Sequence, residues 1–521
     1  MPDTATSPAD STVAPARPDH EVVIVGTGFS GIGAAIKLKE AGIEDFVVFD
    51  KADAVAGTWR ENTYPGCACD VPSHMYSFSF EQNPDWSEMY APQQEIRDYL
   101  ERVTDKYGVR PHLRFGFRAV SATWDEAAGL WHCVGEGPDG TEELTARFLI
   151  SGIGGLHVPA KPHLQGLEGF EGSAFHSAEW DHSVDLKGKK VAVIGTGASS
   201  IQIVPAISRE VGQLDLYQRT APWVLPKLDR RITKFERVLF RRFPIFQRAY
   251  RRGIYLYLEF IMYRGITSKR FGRIFERAGR KNLELHVKDP VKREKLMPTY
   301  EYGCKRLLMS NTYYKALNQP NADVVTDPIA SVGPHSITTE DGTTREADVI
   351  IYGTGFDTQA MASSVEIQGE GGQKLAELWQ REGIQAHRGT MIAGFPNLFF
   401  LLGPNTGLGH NSVVFMIECQ IRLVVQAIEE ARRRDASVSP TKGAQDSYNS
   451  KMQADLGDAV WSRGCKSWYL DAQGRNITLW PGETFRFYES TRKLDPAEYE
   501  WAAVGADAPA APDNRELAEV G

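Results

Sequence analysis

Short apolar, β-branched runs recur along the chain, several of them stopping at a glycine. Val22-Val23-Ile24-Val25 ends at Gly26, and Gly33 to Leu38 behind it has helical spacing. Lys190-Val191-Ala192-Val193-Ile194 ends at Gly195 in the same manner. Runs of this length bounded by turn residues read as buried strands, and their alternation with helical stretches predicts parallel α/β architecture. Phe46 to Phe49, Leu214 to Tyr217 and Phe148 to Ser151-Gly152 add strands. So do Asp323 to Val325 and Ala347 to Tyr352, the latter running into Gly353-Thr354-Gly355-Phe356-Asp357. Phe395 to Leu402 leads into Gly403-Pro404-Asn405-Thr406-Gly407-Leu408-Gly409-His410-Asn411-Ser412, with a helix from about Val413. Between Arg230 and Leu296 the period changes, and Arg and Lys interleave with Phe, Tyr, Leu and Ile at helical spacing.

The glycines carry the first chemistry. Gly26-Thr27-Gly28-Phe29-Ser30-Gly31 sits between strand and helix, where Gly26 permits the turn, Gly28 admits a pyrophosphate, and Gly31 lets helix pack on strand. The second strand ends in Asp50, whose carboxylate suits both hydroxyls of an adenosine ribose, as in FAD or NAD. Gly195-Thr196-Gly197-Ala198-Ser199-Ser200 repeats the pattern with Ser200 in the third glycine's place. Here the next strand leads to Gln218-Arg219-Thr220, so a cation and a hydroxyl await a 2′-phosphate, which favours NADPH. Two Rossmann-like dinucleotide-binding domains follow, one for FAD or NAD and one for NADPH, with a helical insertion. The expected division is residues 20–155 and 386–500 for the first, 156–229 and 298–385 for the second, and 230–297 for the insertion.

Composition narrows the setting. The chain has 521 residues, of which 42% are apolar and 24% charged, with a formal net charge of −8, which disfavours nucleic acid as a partner. Residues 1–19 and 501–521 are expected to be a flexible arm and tail. The six cysteines include no CxxC pair, which suits a reduced, cytoplasmic setting, and no metal site is expected. Cys67 and Cys69 read as packing residues. Tyr255 to Tyr263 falls short of the roughly 20 residues of a membrane span. The basic, aromatic insertion reads as helices packed on the second fold with solvated cations, or as an interfacial surface.

Two longer motifs are more specific. Phe170-Glu171-Gly172-Ser173-Ala174-Phe175-His176-Ser177-Ala178-Glu179-Trp180-Asp181 fits FxGxxxHxxxW followed by Pro or Asp, and Ala56-Gly57-Thr58-Trp59-Arg60-Glu61-Asn62-Thr63-Tyr64-Pro65-Gly66-Cys67-Ala68-Cys69-Asp70 fits A/G-GxWxxxxYPGxxxD. With both cradles in order, the chain from about residue 21 to 490 resembles the type I Baeyer–Villiger monooxygenases, a group of class B flavoprotein monooxygenases. Lys466 to Tyr488 and the Gly-His-Asn-Ser loop resemble the 4-hydroxyacetophenone branch more than the cyclohexanone branch. The resemblance implies an enzyme that uses FAD, NADPH and O2 to convert ketones to esters or lactones through a flavin C4a-peroxide, with sulfoxidation beside it, as monomer or homodimer.

By the same resemblance, Asp70 lies near the flavin and Arg306 is the catalytic arginine, while Lys305 joins Arg219 and Thr220 around the 2′-phosphate. Leu307 stands where members often have Pro. Lys51, Thr58, Trp59 and Tyr76 join the first cradle as cofactor residues, Trp468 touches the nicotinamide coenzyme, and His176 with Trp180 serves as a hinge. His410 reads as a loop-former or a neighbour of the flavin edge. A permanently charged guanidinium suits the mechanism because an anion in a dry pocket is otherwise costly. A flavin-containing N- or S-oxygenating monooxygenase shares the cradles but has no need of Asp70 and Arg306. A disulfide reductase needs a redox cysteine pair, and a noncatalytic nucleotide sensor needs neither long motif.

Overall fold

The computed structural model describes residues 17–358, 360, 364–457, 459–462, 467–471 and 473–503. The first glycine cradle belongs to β1 (His20–Val25), α1 (Phe29–Glu40) and β2 (Phe46–Asp50), with Val22 beside Phe46 and Val25 beside Phe49 in a parallel pair. Two helices follow, α2 (Thr58–Glu61) and α3 (Gln93–Lys106), then β3 (Leu113–Phe115) at the edge next to β2. An antiparallel meander of β4 (Arg118–Asp125), β5 (Leu130–Gly137) and β6 (Gly140–Ser151) returns the chain, and the end of β6 lies parallel to β1.

The second cradle lies in a separate sheet built from β7 (Ser173–His176), β8 (Lys190–Ile194), α4 (Ser200–Ile207) and β9 (Gln213–Tyr217). A short β10 (Val224–Leu225) opens onto the insertion, whose helices are α5 (Lys234–Arg242), α6 (Pro244–Tyr257), α7 (Tyr263–Thr267), α8 (Lys269–His286) and α9 (Pro290–Lys295). Residues Leu258–Met262 join α6 to α7 as a π-helical turn. The chain re-enters through β11 (Leu308–Met309), paired with β10, then α10 (Tyr313–Leu317) and β12 (Ala322–Val325). A three-stranded hairpin sheet, β13 (Ile329–Gly333), β14 (Ser336–Thr339) and β15 (Thr344–Glu346), precedes β16 (Val349–Tyr352). The second sheet therefore runs β12-β9-β8-β16-β7, all parallel.

The remainder completes the first body with β17 (Glu366–Gln368), α11 (Leu375–Glu382), β18 (Leu398–Phe400), α12 (Val413–Arg434), β19 (Ala436–Pro440), α13 (Lys442–Gly457), α14 (Thr484–Thr491) and β20 (Tyr499–Ala503). Its sheet has the order β17-β4-β5-β6-β1-β2-β3, with β18 beside β6. Val22, Ile24 and Val48 point to a core shared with α1 and α12, while Val23, Val47 and Trp131 point to a core on the opposite face. Burial on both faces explains why these strands are runs of apolar residues without alternation. Gly33 brings α1 and α12 together, since a Cβ there would lie 2.9 Å from both Ile421 Cδ1 and Phe78 Cε1.

Several boundaries differ from the sequence expectation. Glu366–Gln368 pairs with β4, and Leu375, Leu378 and Trp379 pack in the first body's core, so residues 366–385 run with the first sheet rather than the second. Two stretches read as parts of the arm and tail are held in place: Asp19 accepts hydrogen bonds from the Thr145 amide at 2.8 Å and hydroxyl at 2.7 Å, and Trp501 to Ala503 lie in β20 against β19. Residues 1–16 and 504–521 lie outside the described residues. Helix α1 begins at Phe29, four residues before the periodic stretch, because the cradle's own glycines already form its first turn. Cys67, Cys69, Cys133 and Cys419 are buried free thiols, whereas Cys304 is disulfide-bonded, an exception to the reduced state expected of all six. Burial pushes the Cys67 thiol up to about 11 and Cys69 higher still, as befits packing residues.

A Cβ on Gly31 would sit 1.8 Å from the Gly26 carbonyl oxygen, a contact that backbone must move to relieve. We expect Gly31→Ala to lower stability by about 3 kcal/mol, the upper end for overpacking, and to release the bound flavin. Thermal unfolding and the flavin absorbance of the purified variant measure both.

Candidate active site

Both cradles share one geometry. Gly26 has φ +102°, and a Cβ on it would meet the Gly152 carbonyl oxygen at 2.7 Å. Gly195 has φ +106°, with the Gly353 carbonyl oxygen 2.4 Å from a Cβ. Each strand end thus lies against the backbone of the neighbouring strand's glycine, a closeness that only a residue without a side chain permits. Gly28 caps α1 in extended conformation and presents backbone alone, with Gly57 Cα 3.9 Å from where its Cβ would be. The donors at that helix start can receive a pyrophosphate, and Phe29 and Ser30 are buried in its first turn.

The substituted third glycine has a compensating partner. Ser200 is fully buried and its hydroxyl points at the Gly353 carbonyl, 3.5 Å away. A Cβ on Gly353 would come within 1.9 Å of that hydroxyl oxygen, so the space Ser200 takes is space Gly353 yields.

The two strand-end residues differ as read. Asp50 is fixed by the Thr27 amide at 2.8 Å, the Thr27 hydroxyl at 2.6 Å and the Ala52 amide at 2.9 Å. Its two oxygens retain acceptor capacity toward ribose hydroxyls. Lys51 Nζ lies 3.8 Å from a Glu61 carboxylate oxygen. On the second fold Arg219 is exposed, and Thr196 donates its hydroxyl to the Thr220 carbonyl at 3.2 Å, joining cradle to strand end past Gly197, Ala198 and Ser199. Partial burial, then the nearby positive charge of Arg219, lowers the Lys305 pKa. Lys305 Nζ also stands 5.0 Å from the Tyr300 ring centroid. Two cations brought together against their own repulsion make a place for a phosphate dianion.

The long motif between Ala56 and Asp70 crosses from one body to the other. α2 starts at Gly57 (φ +48°), whose Cβ would be 3.2 Å from Gly28 Cα, so Thr58 and Trp59 begin directly beside the first cradle. The Trp59 indole donates to Tyr76 Oη at 3.2 Å, and Phe29 meets the Tyr76 ring edge-on at 5.2 Å. Trp59 packs against the cores of both bodies. Further along, Gln202 of α4 grips the motif: its carbonyl accepts from Tyr64 Oη at 3.0 Å and from the Ala68 amide at 3.3 Å, and its amide donates to the Ala68 carbonyl at 2.9 Å. Gly66 lies under it, because a Cβ there would be 2.8 Å from the Gln202 carbonyl oxygen.

The grip delivers Asp70. Its Oδ2 accepts from Arg306 Nε at 3.0 Å and Nη2 at 2.5 Å, across 236 positions of sequence. Asp70 is the chief cause of a rise in the Arg306 pKa, outweighing the cost of desolvation, so the guanidinium is cationic at any working pH. Tyr469 stands by the same pair; burial raises its phenol to about 12, while the Arg306 charge works the other way. Trp468 is 43% exposed, lies tilted by 55° against the Tyr469 ring at 4.5 Å, and accepts at its carbonyl from the Thr358 hydroxyl at 3.4 Å. Tyr469 and Tyr76 are aromatic residues that feel both charges of the pair. Lys466 lies outside the described residues.

His176 and Trp180 occupy the second body's edge. His176 is buried, accepts from the Ala178 amide at 3.1 Å and meets the Phe356 ring edge-on at 5.7 Å, and burial lowers its pKa. Phe356 bridges to Pro159, and the Ala160 amide donates to the Gly355 carbonyl at 3.0 Å. The two chain segments that pass between the bodies thus run side by side against His176. Trp180 packs on Phe175 at 5.1 Å. His410 is buried 3.6 Å from Glu259, which lies in the π-helical turn and also accepts from Asn411 at 2.9 Å and Thr484 at 2.8 Å. Burial opposes the Glu259 charge, but His410 and Thr484 outweigh it and hold the carboxyl below its usual range. His410 accordingly ties its loop to the insertion. Gln202, Tyr469 and Glu259 carried no sequence signal beyond lying within or beside a motif. Among the described residues no cluster of His, Cys, Asp and Glu could hold a metal.

Two dinucleotide folds meeting at an Arg–Asp pair define a flavoprotein oxidoreductase architecture. Residues 19–361 match the family described as flavin-binding monooxygenase-like, and the chain belongs to that family. It is 48% identical over 489 residues to a Baeyer–Villiger monooxygenase of Pseudomonas aeruginosa, covering 93% of this chain and 92% of the other. It is 44% identical over 497 residues to a Baeyer–Villiger monooxygenase of Streptomyces coelicolor, covering 94% of each. Among solved structures, OTEMO in complex with FAD and NADP aligns with a TM-score of 0.84 at 27% identity, over 94% of this chain and 100% of that one.

Replacing Gln202 by Leu removes three hydrogen bonds between the bodies and strands the Ala68 backbone. We expect a stability loss of about 1–3 kcal/mol together with slower turnover, measured by chemical unfolding and by steady-state kinetics on one sample. Arg219→Ala should raise KM for NADPH about tenfold or more and leave KM for NADH nearly unchanged, the loss of one charge-assisted phosphate contact. Equal changes for both coenzymes would remove Arg219 from the phosphate site.

Proposed function

We propose that this protein is an FAD-containing, NADPH- and O2-dependent Baeyer–Villiger monooxygenase that converts ketones to esters or lactones. One observation carries the reading: Arg306 is held on Asp70 at the junction where the motif beside the flavin cradle meets the segment beside the phosphate site. The residues fit both cofactors, since each cradle is backbone where a Cβ would collide, with Asp50 facing ribose hydroxyls and Arg219 with Lys305 facing a 2′-phosphate. When bound, FAD takes two electrons from NADPH and delivers them to O2, so that one oxygen atom enters the bond beside the carbonyl and the other leaves as water.

The chain's own residues supply positioning and charge. Arg306 presents a permanent cation where negative charge develops on oxygen, and its donors not engaged by Asp70 can face that charge. Asp70 fixes the guanidinium through Nε and Nη2, so that the remaining edge has one orientation. Lys305 and Arg219, with Thr220 beside them, hold the coenzyme by its phosphate end. Tyr76 and Tyr469 stand beside the charge pair, with Trp59 behind Tyr76, and bound coenzyme would complete the wall against water. His176 and Trp180 act as a hinge between the segments that link the bodies, and Trp468 contacts the coenzyme from the rim.

Finer assignments follow from the same reading. The first body, with residues 366–503 returned to it, holds FAD and the second holds NADPH. The chain stands nearer the 4-hydroxyacetophenone branch than the cyclohexanone branch, a placement resting on the sequence from Lys466 to Tyr488 and on the Gly-His-Asn-Ser loop. Thioethers are sulfoxidised in the same site, and the enzyme works in the cytoplasm as a monomer or homodimer.

The test is a product screen with aryl, cyclic and linear ketones, NADPH and air, with ester or lactone formation as readout. Arg306→Ala should leave flavin reduction by NADPH within about twofold of the parent while ester formation falls by about 10³ or more, the scale for losing one electrostatic stabiliser. Product at a comparable rate from the variant would take Arg306 out of the reaction.

A further inference from the structure

The insertion carries a charge and a surface that the reaction does not use. Residues 230–297 contain 20 Lys and Arg against six Asp and Glu, a net charge of +14, whereas the whole chain is −8. The rest of the chain therefore carries −22, and cationic charge is concentrated in one structural unit. Large apolar side chains are concentrated there too: Phe235, Val238, Phe243, Ile245, Phe246, Leu256, Tyr257, Phe260 and Ile261 are all exposed, Phe235 to 74% and Ile245 to 65%.

Their spacing places them together. On α5, Phe235 and Val238 are three residues apart, and the turn into α6 adds Phe243, Ile245 and Phe246, the first and last in edge-on contact at 6.2 Å. From α6 into the π-helical turn, Phe246, Ala249, Gly253, Leu256 and Phe260 recur at three or four residues, and all are exposed. A helical stripe of that period ordinarily turns to the core. Here the fully buried residues of α6 are instead Gln247 and Arg251, with Ile254 and Tyr255 partly buried against the core beside them, and the Arg251 guanidinium donates to the Ser77 carbonyl and hydroxyl at 3.1 Å. Burying polar groups inward and aromatic groups outward is the reverse of a helix made for water.

The cations around this stripe are available. Lys234, Arg237, Arg242, Arg248 and Arg252 have no carboxylate partner among the described residues, while the nearby acids are already engaged, Glu236 by Arg230 and Asp85 by Arg241. Arg248 and Arg252, one turn apart, also line a cavity of about 290 Å³ with Arg422, Tyr255, Phe415 and Tyr488. The sole carboxylate there, Glu418, accepts from the Ser79 amide at 2.6 Å. Among the described residues no helix is long and apolar enough to cross a membrane.

We propose that the outer face of α5 and α6 seats the enzyme on an anionic lipid surface, its aromatic stripe entering the headgroup region and its arginines meeting lipid phosphates. Charge complementarity selects this occupant: a face of apolar residues ringed by unpaired cations suits phosphate-bearing amphiphiles, and helices too short to span lie in the interface plane. The acidic remainder of the chain is repelled by the same surface, which fixes the orientation.

The full-length, flavin-loaded enzyme is sedimented with mixed phosphatidylglycerol–phosphatidylcholine vesicles and with pure phosphatidylcholine vesicles. Binding is expected to the anionic vesicles, weaker by about tenfold or more without phosphatidylglycerol, and released by high salt. The double variant Ile245→Ser/Phe246→Ser and, separately, Arg242→Glu should each weaken vesicle binding by about tenfold, with turnover of a water-soluble ketone and sedimentation velocity unchanged. The proposal is overturned if the parent enzyme fails to bind anionic vesicles at low salt, or if both variants bind as the parent does. It is also overturned if the parent is a dimer that the double variant splits without vesicle binding, which would assign this face to a second copy of the chain.

Discussion

A permanent cation in a confined junction between two nucleotide folds is the constraint on which the rest depends. Placing a guanidinium there is favourable only with a carboxylate at fixed distance, and Asp70 meets that need through two donors of one arginine. The two partners come from different bodies, so the pair exists only when the bodies are docked in one arrangement. Lys305, next to Arg306 in sequence, lies within the field of Arg219 instead, so neighbouring residues of one segment serve the charge environments of two places.

Docking rests on contacts that are mostly backbone. Gln202 holds the Ala68 peptide on both sides, Gly66 gives the close approach, and Trp59 fills space shared by two cores. The motif from Ala56 to Asp70 thereby reads as one mechanical part: its first residues lean on the flavin cradle, its middle grips α4, and its last residue meets Arg306. A second bracket, Glu259 with His410, Asn411 and Thr484, fastens the insertion to the loop before α12.

The parallel strands, both cradles and the insertion were legible because each has a strong local signature: apolar runs bounded by glycine, a fixed offset to Asp50 or Arg219, and a change to helical period. Asp70 and Arg306, singled out from separate segments of the sequence, stand in a direct ion pair. Features set by distant contacts were not legible. The return of residues 366–385 to the first sheet depends on pairing with β4 about 240 positions away, which no local pattern encodes. Gln202 and Tyr469 are ordinary residues whose importance comes from where their elements end. The outward stripe of α6 was visible as helical spacing, but which side faced water depended on Arg251 finding Ser77.

The Ser200 and Gly353 pair has a consequence for substitution. With the Ser200 hydroxyl in its present rotamer, a side chain at position 353 would collide with it, so the two positions compete for one space. Growth at either one is tolerated only as far as the other yields. The serine that makes the second cradle look imperfect is thus matched by a glycine on the neighbouring strand, and the tolerances of the two positions are coupled.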